Sequence, residues 1–186
     1  MEKIDTVILA GGFGTRISEK TKVIPKPMIK IGKDPIISHI INKYVRAGVD
    51  SFIIATGYKQ NVINDYFKIK SKDFRKIDKN SYLFNLKIKD KKIEIKTIYT
   101  GQKTLTGTRV LKLKKYINSK IFFLTYGDGL SNVNLKKLLN FHHKNKKIAT
   151  VTSVRPPIRF GELKIKKNSV ISFKEKPQLN DGWING

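Results

Sequence analysis

Apolar and polar positions follow two rhythms along this chain, and the switches between them mark its elements. Thr6–Ala10 is an unbroken apolar-rich run that stops at Gly11, the pattern of a strand buried on both faces. From Ile36, apolar residues recur at 36, 37, 40, 41, 44 and 45, a helical spacing that ends before Gly48. Ser51–Thr56 reads as a second buried strand closed by Gly57, and Asn61–Phe67 as another helix.

The segment from Lys68 to Ser81 is highly charged and has no clear period. Tyr82–Lys89 and Ile93–Tyr99 then alternate apolar and polar around KDKK, which predicts a strand pair. Val110–Ile117 is helical in pattern, Ile121–Thr125 is a third core strand, Leu135–His143 a helix and Ala149–Val154 a strand. Glu162–Lys166 and Val170–Lys174 read as an antiparallel pair around KKNS. Pro25 and Pro27 are expected to keep Lys26 extended, because a proline biases the residue before it away from the helical region.

Strands alternating with helices at this spacing give an open, mostly parallel, Rossmann-like α/β sheet with helices on both faces, carrying a small antiparallel strand pair. Repeats, heptads and Ser/Gly linkers are absent, so residues 1–186 read as a single domain.

Composition narrows the function classes. No apolar run reaches the roughly 20 residues that span a bilayer, and an acidic N-terminus leading straight into a strand does not read as a signal peptide. The chain has no cysteine, which excludes disulfides and thiolate metal sites, and the cytoplasm is the default compartment. Net charge is +25, a balance that suggests nucleic acid or anionic membrane. Only six of the 39 basic residues are Arg, however, and the lysines are scattered rather than gathered beside an aromatic platform. The charge therefore reads as compositional bias, with no membrane or nucleic-acid partner expected, although a positive field still favours anionic small substrates.

The suggestive residues fall where open parallel sheets bind ligands, beyond the carboxyl ends of the strands. Gly11, Gly12, Phe13 and Gly14 follow the first strand, where glycines let backbone amides approach phosphate oxygens. The loop matches neither GxxxxGK[ST] nor GxGxxG. Arg16 adds a fixed cation suited to a polyphosphate. Lys26 sits in a Pro-braced loop shortly afterwards, and Asp128 in TYGDG is a carboxylate placed to hold nucleotide-bound Mg²⁺. His39, His142 and His143 lack metal-ligand spacing, and no nucleophile–base set can be assembled.

Together, GGFGTR, PKPM, KPMIKIGKDPIISHI, FIIATGYK, TIYTGQKTLTGTR, FLTYGDGLSNVN, TVTSVRPPIRFGEL and FKEKPQLNDGWING are ordered markers running from Val7 to Gly186. By them the chain resembles the nucleoside-triphosphate-dependent sugar-1-phosphate nucleotidyltransferases, and among these the members that use CTP and glucose 1-phosphate. The resemblance implies transfer of a cytidylyl group to give CDP-glucose and pyrophosphate. It implies that Leu9, Ala10, Gly11, Gly12, Phe13, Gly14, Thr15 and Arg16 wrap the nucleotide and its phosphates, that Thr104 and Arg109 help to hold the nucleotide, and that Gly127 lies beside it. It further implies that Lys26 meets the α-phosphate, Asp128 holds Mg²⁺, and Glu175, Lys176 and Asn185 serve the sugar and its phosphate.

Two departures stand out. The family motif has a second glycine where this chain has Thr108. The family also continues past ING with a further strand, a second Mg²⁺-binding Asp and an oligomer-forming part, so the chain is expected to be shortened at its C-terminus and to leave a sheet edge that invites self-association. Three readings stay open. The first is an active cytidylyltransferase. The second is a nucleotide-binding remnant without turnover, or a relative using another triphosphate or sugar phosphate. The third is a basic nucleic-acid binder on the same fold.

Overall fold

The computed structural model describes residues 3–13, 24–156, 161–175 and 183–185. These fall into two compact units, residues 1–135 and 136–186.

The first unit is built on a six-stranded sheet. Its strands are β1 (Asp5–Leu9), β4 (Ser51–Thr56), β5 (Asp73–Asp78), β6 (Ser81–Ile88), β7 (Lys91–Tyr99) and β8 (Phe122–Tyr126). A two-residue pair, β2 (Lys30–Ile31) and β3 (Asp34–Pro35), lies outside it. The order is β5-β6-β7-β4-β1-β8, with β7, β4, β1 and β8 parallel and β5 and β6 antiparallel. The open, mostly parallel sheet read from the sequence is therefore the observed architecture.

Register explains why the central strands are apolar throughout. Val7 pairs with Ile53 and Ile8 with Ile54, so successive residues face opposite sides and both sides must be covered. On one face Leu113, at the end of helix α3 (Thr106–Leu113), packs with Val7, Ile53, Ala55 and Ile98. On the other lie α1 (Ile36–Arg46) and α2 (Gln60–Lys70). Tyr44 of α1 meets Phe123 edge-on at 5.5 Å, and Phe67 of α2 meets Phe84 at 5.9 Å between ring centroids. Helix α1 buries Ile37, Ile40, Ile41, Tyr44 and Val45, its three-and-four-spaced stripe, and stops where Gly48 takes a positive φ.

Three expectations are corrected. Lys26 is not extended but opens a 3₁₀ turn, Lys26–Met28, closed by the Met28 amide on Pro25 O at 2.8 Å. Pro27 lies in the first positions of that turn, where its missing N–H leaves no bond unmade. The charged segment after α2 contains β5, an edge strand with wet faces and hence no apolar alternation to read. The strand expected over Ala149–Val154 is limited to β9, Ser153–Val154, because only these two residues find a ladder partner among the described residues.

In the second unit α4 (Leu135–Asn145) is followed by β9, by the antiparallel pair β10 (Glu162–Lys166) and β11 (Ser169–Lys174), and by β12 (Ile184–Asn185), which pairs with β9. The β10–β11 pair matches the sequence expectation. No described helix is long and apolar enough to cross a membrane.

Candidate active site

The carboxyl ends of β1, β7 and β8 open onto one cleft of about 330 Å³, lined by Leu9–Phe13, Lys26–Pro27, the 102–106 segment, Arg109, Tyr126 and Asp128. Parallel strands deliver all their C-terminal loops to the same edge, which is why residues far apart in sequence meet here. Of the residues singled out in the sequence, Leu9, Ala10, Gly11, Gly12, Phe13, Lys26, Thr104, Arg109 and Asp128 are brought together in this cleft.

The glycine loop leaves β1 with its course fixed at two points. Ala10 N–H donates to Ala55 O at 2.9 Å, and Gly11 O accepts from the Tyr58 amide at 3.3 Å. The amides of Gly12 and Phe13 have no acceptor among the described residues, which leaves them free to meet an anion. Phe13 packs its ring on Tyr58 at 5.2 Å, tying the loop to the turn after β4.

Gly127 packs directly behind the cleft. A Cβ there would lie 2.9 Å from Pro27 Cγ and 3.0 Å from Leu9 O, so only glycine lets the β8 exit approach both neighbours. The following residue, Asp128, forms an ion pair with Lys26, both side chains being about 29% exposed. The loop beyond Asp128 is fixed by Lys43, whose ammonium donates to Ser131 O at 2.7 Å and Ser131 Oγ at 2.8 Å. Burial lowers the Lys43 pKa from its ordinary value.

Arg109 is almost wholly buried, at 5% exposure. Its Nη1 donates to Thr100 Oγ1 (2.6 Å) and Gly101 O (2.7 Å), with Thr56 O at 3.4 Å. Its Nη2 donates to Gly11 O and Gln102 O, both at 2.9 Å. Burial pulls the guanidinium below its usual pKa, with Tyr99 partly opposing the shift. Thr104 turns its hydroxyl to Thr100 O at 2.6 Å.

Asp128 is an oxygen donor with partial access to the cleft, which suits a hard divalent cation that completes its shell with phosphates and water. No three His, Asp or Glu side chains converge among the described residues, so no protein-only metal cage forms there.

Gly14, Thr15, Arg16 and Lys176 lie outside the described residues. Glu175 and Asn185 belong to the second unit. There Glu175 follows β11, and the Asn185 backbone pairs with Ser153.

The sequence reading missed Gln102, Lys103, Leu105 and Tyr126 as lining residues. Lys103 was one lysine among many. Leu105, 78% exposed at the start of α3, offers an apolar surface in the cleft that no periodicity could have flagged.

A family model described as nucleotidyl transferase matches residues 5–185, a span that runs through both units. The chain is 39% identical over 184 residues to a glucose-1-phosphate cytidylyltransferase of Salmonella typhimurium, covering 97% of this chain and 72% of that protein. It is 40% identical over 182 residues to a probable glucose-1-phosphate cytidylyltransferase of Bacillus subtilis, covering 97% and 71%. Among solved structures, HddC from Yersinia pseudotuberculosis complexed with GMP-PN superposes with a TM-score of 0.64 at 26% identity, covering 98% of this chain and 73% of that one. A UDP-glucose pyrophosphorylase complexed with UDP-glucose shares the fold, with a TM-score of 0.59 at 19% identity over 95% and 70% of the two chains.

Proposed function

This chain belongs to the nucleotidyl transferase family, and from that premise we propose that it transfers the cytidylyl group of CTP to glucose 1-phosphate, giving CDP-glucose and pyrophosphate. The observation that carries the choice of substrates is the 39–40% identity to cytidylyltransferases across 97% of the chain. In this reading residues 1–186 act as one nucleotidyltransferase domain, working in the cytoplasm.

A phosphate oxygen of glucose 1-phosphate forms the new bond to the α-phosphorus of CTP. The bond from that phosphorus to the bridging oxygen breaks, and pyrophosphate leaves with its electron pair. The attacking phosphate is already ionised at neutral pH, so the step needs positioning and charge neutralisation rather than a protein nucleophile. That requirement suits a cleft where Lys26 and backbone amides supply positive ends.

Each residue then has a role. Leu9 to Phe13, with Gly14, Thr15 and Arg16, wrap the nucleotide, and Thr104, Arg109 and Gly127 shape its seat. Lys26 neutralises charge building at the α-phosphate, and Arg16 stabilises the departing pyrophosphate. Glu175, Lys176 and Asn185 engage the sugar phosphate. Asp128 would hold Mg²⁺, which supplies charge neutralisation on the phosphates when bound.

The test is product analysis. Purified protein with glucose 1-phosphate, Mg²⁺ and equimolar CTP, UTP, dTTP and GTP should yield CDP-glucose as the dominant nucleotide sugar. A different dominant nucleotide sugar would overturn the base assignment while leaving the family intact.

A further inference from the structure

We propose that Lys43 is a positioning residue for the cleft carboxylate: from helix α1 it anchors Ser131, and so holds the loop that carries Asp128 where a nucleotide-bound cation can reach it. The inference rests on the nucleotide and Mg²⁺ reading above and extends it to a residue outside the cleft lining.

The starting observation is a half-buried lysine whose ammonium serves a single residue. Lys43 Nζ donates to Ser131 O at 2.7 Å and to Ser131 Oγ at 2.8 Å, 88 positions further along the chain. Among the described residues no carboxylate forms an ion pair with it. A surface lysine ordinarily lays its stem on the protein and leaves its ammonium in water. Here the charged group is drawn onto two neutral oxygens of one residue, which fixes the backbone and the side chain of Ser131 together.

What the anchor does follows from the loop between β8 and α4. At its start the Gly127 N–H donates to Leu9 O at 2.9 Å, and Asp128 comes next. Gly129, Leu130 and Ser131 are exposed, and a Cβ on Gly129 would meet no atom within 4 Å. Residues without packing lose conformational freedom when they are held in place, and packing does not repay it here. The bonds from Lys43 supply that hold. Three residues reach at most about 11 Å when extended, so Asp128 is tethered closely between a seated Gly127 and a pinned Ser131.

Lys26 cannot do this work alone. In the proposed reaction Lys26 turns to the α-phosphate and Asp128 to the cation, so their mutual ion pair is given up. Neither Lys43 nor Ser131 is among the residues lining the cleft, so their bond survives that exchange. Orientation already present need not be supplied at binding. The base of the anchor is firm as well. Tyr44, next to Lys43, meets Phe123 of β8 edge-on at 5.5 Å, so the helix that bears the anchor packs on the strand that leads into the loop.

Amide hydrogen exchange without ligand, paired with CTP titrations with and without Mn²⁺, tests this. The Gly127 amide reports the seat of the loop, and the Ala10 amide, bonded to Ala55 O at 2.9 Å, reports the sheet beside it. In Lys43→Met, exchange at Gly127 should be about tenfold faster and exchange at Ala10 unchanged, the size expected when hydrogen bonds from a charged group are lost. The gain in CTP affinity that Mn²⁺ gives the wild type should shrink by up to about tenfold, with metal-free CTP affinity unchanged. In an Asp128→Ala background, Lys43→Met should change neither CTP titration further, because the two residues act as one unit. Ser131→Ala keeps the carbonyl acceptor and should give the same changes at about a third of the size; it serves if Lys43→Met does not fold.

Faster exchange at both amides, or CTP affinity weakened equally with and without Mn²⁺, would overturn the proposal in favour of a general packing role. A full Mn²⁺ gain in Lys43→Met would overturn it too. If the wild type binds no CTP, the nucleotide reading falls, and exchange at Gly127 still decides the anchor: a wild-type rate in Lys43→Met would remove it.

Discussion

Lys26 and Asp128, 102 positions apart in the sequence, are ion-paired in the cleft, where each neutralises the other. One is expected to face the α-phosphate and the other a divalent cation, so ligand binding must exchange this pair for two new ones. The exchange is inexpensive because partly exposed pairs contribute only about 0–1 kcal/mol.

Lys26→Met separates the two roles. Without nucleotide, the freed Asp128 carboxylate should bind Mn²⁺ up to about fivefold more tightly, the equivalent of that pair energy. Turnover should fall by about a hundredfold or more, as when one transition-state donor is removed. Electron paramagnetic resonance titration of Mn²⁺ checks the first and steady-state kinetics the second. Unchanged Mn²⁺ affinity would mean that the pair does not compete with the metal.

Gly127→Ala places a methyl within 3.0 Å of Pro27 Cγ and Leu9 O, next in the chain to Asp128 and against the neighbour of Lys26. Overpacking of this kind costs about 1–3 kcal/mol. The expected outcome is a modest fall in the thermal midpoint with a larger loss of CTP affinity. Equal affinity in the two proteins would show that the β8 exit tolerates displacement.

At the opposite end of β1, Asp5 is fully buried, with Oδ1 accepting from Ser51 Oγ at 2.5 Å and Oδ2 from the amides of Asn118 and Ser119 at 2.7 and 2.9 Å. Burial alone would raise its pKa, but the hydrogen bonds from Ser51, Asn118 and Ser119 outweigh it and hold the carboxyl below its ordinary value. A pKa lowered by folding gives stability that is full above the unfolded value, near 3.9, and is lost as pH falls through the folded one. Asp5→Asn should therefore cost about 1–3 kcal/mol at pH 7 and show a shallower acid limb below about pH 4. Urea midpoints measured from pH 7 to pH 3 decide it; parallel curves for the two proteins would remove Asp5 from the acid response.

Phe84 is completely buried in β6, with Phe67, Phe74 and Tyr82 at 5.9–6.1 Å between ring centroids. Phe84→Ala should lower stability by about 3–5 kcal/mol through lost burial and the cavity left behind. A urea midpoint displaced at constant slope is the expected signature. A loss below about 1 kcal/mol would mean that the cluster collapses into the space.

How much of this could be read beforehand depends on where each signal resides. Strands β1 and β4 and helix α1 were legible because complete burial writes itself as apolar continuity or a helical stripe. Strand β5 was not, since an edge strand such as DFRKID carries pairing information only in its partner β6. Lys26 and Asp128 could each be suspected, but only the parallel order β7-β4-β1-β8 brings them to one cleft edge. The orientation of Arg109 towards carbonyls is tertiary, and one arginine in a helix looks the same in sequence whichever way it turns.

The most direct measurement is pyrophosphate release from the purified protein with CTP, Mg²⁺ and glucose 1-phosphate, beside an Asp128→Ala control. Release that depends on glucose 1-phosphate and is abolished in the control is the expected result. Saturable CTP binding without any pyrophosphate release, or release that persists undiminished in Asp128→Ala, would contradict this account of the cleft as a cytidylyl-transfer site.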